Sequence, residues 1–410
     1  MEKKESHMPV VFRDETFDYH LMRTMGYSVF QMADINECLE TARRIQDGSF
    51  ESWHEQWYST ANRVQDIAEK SLKGGHIVSA REAFLRASNY YRTAEFFLHG
   101  DQKDPRIKET ASKSCLCFEK SVSLMSQSVS KVNIPYEKTN LPGYFYRVDD
   151  KKRPTIIVQA GFDGTQEELY GYGLEGVKRG YNIFTFDGPG QGAALREQGL
   201  PFRPDWEVVI RAVVDFLVKQ PEIDTNIIIL YGLSFGGYLA PRGASGDNRI
   251  RILIANSGIY DYLEGIANSE GMSKDQCIQN VRKDVIVFDK TMVSIMNKST
   301  NLRWAMEHGM FSFKVQTPSQ LTEEYYNYTL KDRAHLIKSL TLICESEHEL
   351  NIFKGQAQKL YDKLTCPKEF INFTQNEGAG LHCQMGALLL SQQRIFDWLD
   401  KKILDFIKKN

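Results

Sequence analysis

The sequence predicts an α/β protein with a mostly parallel central sheet, an N-terminal all-helical domain and a helical cap insertion. Three observations predict it. From Asp34 to about Lys131 apolar residues recur at helical spacing, with little β-rich sequence between them. From Val132 onward, short apolar runs alternate with helical segments, as strands buried on both faces of a parallel sheet do. The run Ile227 to Tyr231 leads into Gly232-Leu233-Ser234-Phe235-Gly236-Gly237 and then a helical start, the signature of a strand folding sharply back into a helix.

Bulk properties narrow the partners. At 410 residues the chain exceeds one ordinary core. Its formal net charge is −2 with Lys and Arg scattered, so the basic stripe of a nucleic-acid binder is missing and a small-molecule substrate fits better. Met1 to Val10 is polar and charged, and no apolar run is long enough to span a bilayer; the expectation is a cytoplasmic protein with no membrane partner. Seven cysteines without framework spacing fit a reducing compartment. Cys115 and Cys117 form only C-x-C, and His348-Glu349 begins a zinc pattern that Ile352 breaks, so no metal is expected, and the serine chemistry read below needs no cofactor.

In chain order, Ser79 with Glu82 three residues on predicts a capping box. Ala83, Phe84, Ala87, Tyr91, Ala94 and Leu98 follow on one helical face, and His99-Gly100 stops that helix. Asp104-Pro105 supplies an N-cap and a first-turn proline for the next, which carries Cys117, Phe118, Val122 and Met125 inward. Residues 1–131 read as one helical domain. Val132 to Tyr136 and Tyr144 to Val148 alternate around Asn140-Leu141-Pro142-Gly143, predicting an antiparallel hairpin. Strands are then expected at Thr155 to Gln159, Ile183 to Phe186, Ile227 to Tyr231, Ile252 to Ala255, Leu340 to Cys344 and Phe370 to Phe373. The helical stretch from Asp261 to about Lys331, including Val285 to Met296 and Asn301 to Gly309, is too long for a crossover and reads as a cap inserted into a sheet domain of residues 132–410.

Chemistry gathers around Ser234. A serine hydroxyl is a weak nucleophile that needs a general base, and the base needs an orienting carboxylate. His382 follows the last strand in a glycine-rich loop and is the candidate base. Glu345, Glu347 and Glu349 all follow the strand ending at Cys344; Glu347 is the choice, because the acid commonly lies a few residues past a strand end, with the other two in reserve. Backbone donors for an oxyanion are expected from Phe235, after the nucleophile, and from the loop Gln159 to Thr165, where Gly161 permits close approach; Phe162 is the candidate second donor, with Asp163 the alternative. Phe186 to Gly192 is glycine-rich after a strand but lacks phosphate-loop spacing, and reads as a tight turn beside the site.

Taken together, Ser88-Asn89-Tyr90-Tyr91-Arg92, Gly161 to Thr165, Phe186 to Gly192, Arg203 to Glu207, the Ser234 turn and Glu377 through Gln384 resemble the α/β-hydrolases with an N-terminal helical domain. That group includes fermentation-respiration-switch-like hydrolases, dihydroxypseudooxynicotine hydrolase, fungal polyketide-shortening hydrolases and acylaminoacyl-peptidase-like proteins. The resemblance implies the α/β-hydrolase fold, Ser234 as nucleophile, His382 as base and then acid, and the Gly161 loop as part of an oxyanion hole. It further implies that helical domain and cap close over the site, making Tyr90, Tyr91 and Arg92 candidate substrate contacts beside Gly161 and Asp163, and it alone implies a homodimer. Cys344 stands where many relatives have Gly, and Glu stands where they have Asp.

The expected activity is hydrolysis of a small acyl ester or related carbonyl compound through an acyl-enzyme on Ser234. The resemblance also admits N-acyl amino acids or peptides and the C–C bond of a β-diketone. A rival of another class is a binding protein on a hydrolase fold; candidates for every catalytic role argue against it, because a binder needs none.

Overall fold

The computed structural model describes residues 9–125 and 128–409, with side chains through 406. The polar chain start therefore lies outside the described residues except for Pro9 and Val10. The helical region opens with α1 (Glu15–Gly26), whose N-cap Asp14 accepts from the N–H groups of Thr16 and Phe17. α2 (Ile35–Ala42) and α3 (Phe50–Lys73) follow; α3 buries Trp53, Trp57, Ala61, Val64 and Ala68, a stripe at helical spacing that faces α4 (Ile77–Glu95). The capping box expected at Ser79 does not form, because α4 already starts at Ile77 after His76. Nor does α4 run to His99: it ends at Glu95. The last turns of α4 are buried on every side between α1, α3 and α5 (Pro105–Ser123), which Asp104 caps as expected.

β1 (Val129–Tyr136) and β2 (Thr139–Tyr146) form the antiparallel hairpin, but its turn is Glu137-Lys138. Asn140 to Gly143, read as the turn, lies inside β2, with Gly143 paired to Val132 on one side and to β4 on the other. The chain continues through β3 (Arg153–Gln159), α6 (Tyr170–Lys178), β4 (Asn182–Phe186), α7 (Gly192–Gln198), α8 (Glu207–Leu217), β5 (Ile223–Leu233), α9 (Gly236–Ala244) and β6 (Ile250–Asn256). Five helices separate β6 from the next strand: α10 (Tyr262–Ser269), α11 (Lys274–Lys283), α12 (Val285–Met296), α13 (Thr300–Phe313) and α14 (Pro318–Tyr325). β7 (Leu340–Ser346), α15 (Gln356–Lys363), β8 (Lys368–Phe373) and α16 (Leu388–Lys409) complete the fold.

The eight strands make one sheet in the order β1-β2-β4-β3-β5-β6-β7-β8, parallel from β4 through β8. Side chains alternate across it. Ile157, Leu230 and Leu253 enter the core shared with α8 and α9; Ile156, Ile229 and Ile252 enter the opposite core, shared with α6 and α16. A separate aromatic core around Trp53, Trp57 and Tyr90 holds the helical region together. The C-terminal ends of β3, β5, β6 and β7 converge on one edge of the sheet, where open α/β sheets place their ligands.

Candidate active site

β5 delivers Ser234 directly at its C-terminal end, with φ +59°, a left-handed conformation that is costly for a non-glycine residue. Local packing enforces it: a Cβ at Gly232 would lie 2.0 Å from Gly236 O, so only glycine lets the strand fold back on α9. The Ser234 N–H donates to Asn256 O at 2.5 Å, tying the turn to the end of β6.

His382 Nε2 lies 2.8 Å from Ser234 Oγ, and His382 Nδ1 hydrogen-bonds to Glu349 Oε1. Nδ1–H donates to the carboxylate, which leaves the Nε2 lone pair for the serine hydroxyl. Glu349 is buried; its Oε2 accepts from Ser257 Oγ, and its Oε1 also accepts from Leu350 N–H at 2.8 Å. Burial alone would raise this carboxyl; His382, Ser257 and the Leu350 N–H outweigh it and hold Glu349 below its usual range. Burial alone would lower His382, but Cys383 and Glu349 outweigh it and hold the imidazole well above its usual value. Cys383 Sγ stands 3.6 Å from the same Nε2 that meets Ser234.

The carboxylate beside His382 is thus Glu349 and not Glu347. Glu347 is exposed and accepts from Gln375 N–H at 2.7 Å; Glu345 is half-buried in β7, beside Asn372. The reason is strand length. β7 runs to Ser346, two residues beyond the expected end at Cys344, so a position a few residues past it is Glu349. The His382 loop is fixed by Gln384, whose side-chain amide pairs reciprocally with that of Asn256 at 2.8 and 3.1 Å and reaches Ser346 Oγ at 3.0 Å.

The loop after β3 lies against the Ser234 turn. A Cβ on Gly161 would stand 2.6 Å from Leu233 O and 2.7 Å from Phe235 N, so this approach requires glycine. Neither Phe235 N–H nor Phe162 N–H finds an acceptor among the described residues. Gln191 Nε2 donates to Ala160 O and Gly161 O at 2.8 and 2.9 Å, so the turn after β4 pins this loop. His308 of α13 donates from Nε2 to Phe162 O at 2.9 Å, and its Nδ1 meets His99 Nδ1 at 3.0 Å. Burial first, then His99, push His308 down to about 3.

Asp163 is not a free substrate contact: Arg23 of α1 binds it at 2.6 Å and forks onto Glu168 at 3.0 and 2.9 Å. Tyr90 and Tyr91 are also committed elsewhere. Tyr90 OH donates to Glu37 at 2.8 Å, and Tyr91 OH meets Asn62 and Gln65 at 2.6 Å, all within the helical region, because the last turns of α4 are buried on every side. Arg92 reaches Asn89 and Glu168, at the seam between helical region and sheet rather than at Ser234.

The sequence reading missed the contribution of α1. Tyr19 OH donates to His382 O at 3.4 Å, and one turn later Arg23 holds Asp163, so α1 bridges the two sides of the site. No motif marks these residues. Gln191 and His308 were visible only as parts of a turn and a helix.

No helix among the described residues is long and apolar enough to cross a membrane, and no cluster of three or more His, Cys, Asp or Glu among them is placed to hold a metal ion. The family model described as Esterase FrsA-like matches residues 32–317. The hydrolase LUC6 of Fusarium sp. is 34% identical over 413 aligned residues, covering 96% of this chain and 98% of its own. The 20-hydroxy-prefusarin hydrolase FUS2 of Gibberella moniliformis (strain M3125 / FGSC 7600) is 35% identical over 412, covering 96% and 98%. Among solved structures, 2,6-dihydroxy-pseudo-oxynicotine hydrolase superposes with a TM-score of 0.72 over 92% of this chain and 94% of its own, at 20% identity, which is a likeness of fold. An eight-stranded, mostly parallel sheet with a serine at the turn after its fifth strand, matched end to end by hydrolases, makes this chain an α/β-hydrolase that belongs to the FrsA-like esterase family.

Proposed function

We propose that the protein is a serine hydrolase that cleaves a small acyl ester or related carbonyl compound through an acyl-enzyme on Ser234. One observation carries the reading: the unbroken chain from Ser234 Oγ through both nitrogens of His382 to the buried Glu349. Glu349 fixes the Nδ1–H tautomer and stabilises the imidazolium that forms. His382 Nε2 takes the Ser234 proton as Oγ attacks the carbonyl carbon. The free N–H groups of Phe235 and Phe162 receive the oxyanion, and a donor of this kind is worth about 10²–10³ in rate. His382 then protonates the leaving alcohol, and water activated by the same nitrogen releases the acid.

In this reading residues 1–131 and 261–331 act as one lid. Arg23 joins the first to the oxyanion loop, and His308 joins the second to it. Such closure favours compact substrates. 20-Hydroxy-prefusarin, named for the 35%-identical relative, is a first compound to try.

The test is turnover by wild type and Ser234→Ala on acyl esters, N-acyl amino-acid anilides and β-diketones. Turnover concentrated on esters and reduced about 10⁵–10⁶-fold in the variant is expected. Ester turnover that survives Ser234→Ala contradicts the reading.

A further inference from the structure

Where α1, α13 and the oxyanion loop meet, two polar atoms are buried without a partner. His20 Nδ1 and Trp304 Nε1 have no hydrogen-bond partner among the described residues. His20 is 4% exposed. Its ring packs against Phe96 at 4.1 Å and meets Trp304 and Tyr19 at 5.3 Å each. Trp304 in turn lies 6.3 Å from the Phe162 ring and 6.0 Å from His308.

Their position relates them to the site. His20 sits on α1 between Tyr19, which donates to His382 O, and Arg23, which holds Asp163. Trp304 sits on α13 one turn before His308, which holds Phe162 O. The two rings meet edge-on across the seam between the helical region and the cap, with Phe96 packed against both, beside both halves of the candidate catalytic apparatus. Burial first, then Arg23, keep the His20 pKa well below its usual value, so the ring is neutral.

A buried polar atom left without a partner is costly, and native folds keep few of them. We infer that His20 and Trp304 bind a second oxygen of the substrate, a hydroxyl or carbonyl remote from the scissile bond. The inference rests on the serine-hydrolase reading and names its substrate class: carbonyl compounds carrying a further oxygen. Chemistry supports that choice. The indole N–H only donates, so its partner must be an acceptor; a neutral imidazole nitrogen accepts or donates, and so complements either kind of oxygen. An alkyl chain at this place would leave both nitrogens unpaired, and sites built this way reject the analogue that lacks the polar group.

The test compares kcat/KM for p-nitrophenyl hexanoate with its 3-, 4- and 5-oxo derivatives, and for hexyl acetate with 3-, 4- and 5-oxohexyl acetate. The extra oxygen is thereby placed on either side of the ester. Wild type should favour one oxo position over its parent by about ten- to hundredfold. His20→Phe and Trp304→Phe should each bring that ratio towards one, and His20→Gln, which returns an amide, should restore part of it. A ratio is read because it cancels any general loss of activity. No oxo preference in wild type, or a preference unchanged in both Phe variants, overturns the inference and leaves the pair as aromatic packing. Loss of the serine-hydrolase reading would look different: ester turnover would then survive Ser234→Ala.

Discussion

At the residue scale, two glutamates two positions apart have opposite environments. Glu349 is buried against His382, while Glu347 faces solvent. Glu349→Gln keeps the shape but removes the charge that fixes the imidazole tautomer, and should lower kcat by about 10³–10⁴. Glu347→Gln should change it less than threefold; steady-state kinetics on one ester checks both. In the proposed mechanism His382 must be neutral to accept the serine proton. Because its pKa is raised, kcat/KM should fall as pH drops through a value above about 6.5. Cys383→Ala removes one of the two neighbours that raise it, and should move this limb to lower pH. A limb that stays in place assigns the shift to Glu349 alone.

At the element scale, the loop after β3, which we propose holds the oxyanion, has little internal structure and is held by its neighbours. Gln191 binds Gly161 O from the turn after β4, and His308 binds Phe162 O from α13. Gln191→Ala should therefore lower kcat by about 10- to 100-fold with KM little changed, because the oxyanion develops only in the transition state. Much of this level was legible in the sequence. Short apolar runs announced every strand of the parallel sheet: β3 to β7 are buried and cannot hide their composition, while β8, half-buried at the sheet edge, kept only a short apolar run. The Ser234 turn and the Gly161 loop were legible because close backbone approach leaves glycines behind. Element ends were not: two unread residues of β7 moved the candidate acid from Glu347 to Glu349, and a proline-glycine signal inside β2 passed for a turn. Tyr90 and Tyr91 misled for another reason. Their role depends on which side of α4 meets the sheet, and helical spacing does not say that every side is covered.

At the scale of the whole molecule, the helical region is fastened to the sheet by buried ion pairs: Arg23 with Asp163 and Glu168, and Arg196 with Glu95 at 2.7 and 2.8 Å. Asp163 is held below its usual range by Arg23 and His308 against the opposing effect of burial, and Glu95 by Arg196 and His99 against the same effect. For carboxyls depressed on folding, the stabilisation is present above the unfolded values near pH 4 and is lost as pH falls through the folded ones. Urea midpoints should therefore fall steeply below about pH 4. Arg23→Met leaves the partly buried Asp163 without its cation and the buried Glu168 with Arg92 as its remaining one, and should cost about 3 kcal/mol at pH 7, with the loss easing as the carboxyls protonate.

The most direct test of the account is a fluorophosphonate reaction followed by intact mass and peptide mapping on the folded protein. One adduct on Ser234 is predicted, formed at the wild-type rate in Glu347→Gln and about 10³-fold more slowly in Glu349→Gln. No adduct, an adduct elsewhere, or equal rates in the two glutamate variants would contradict the Ser234–His382–Glu349 assignment.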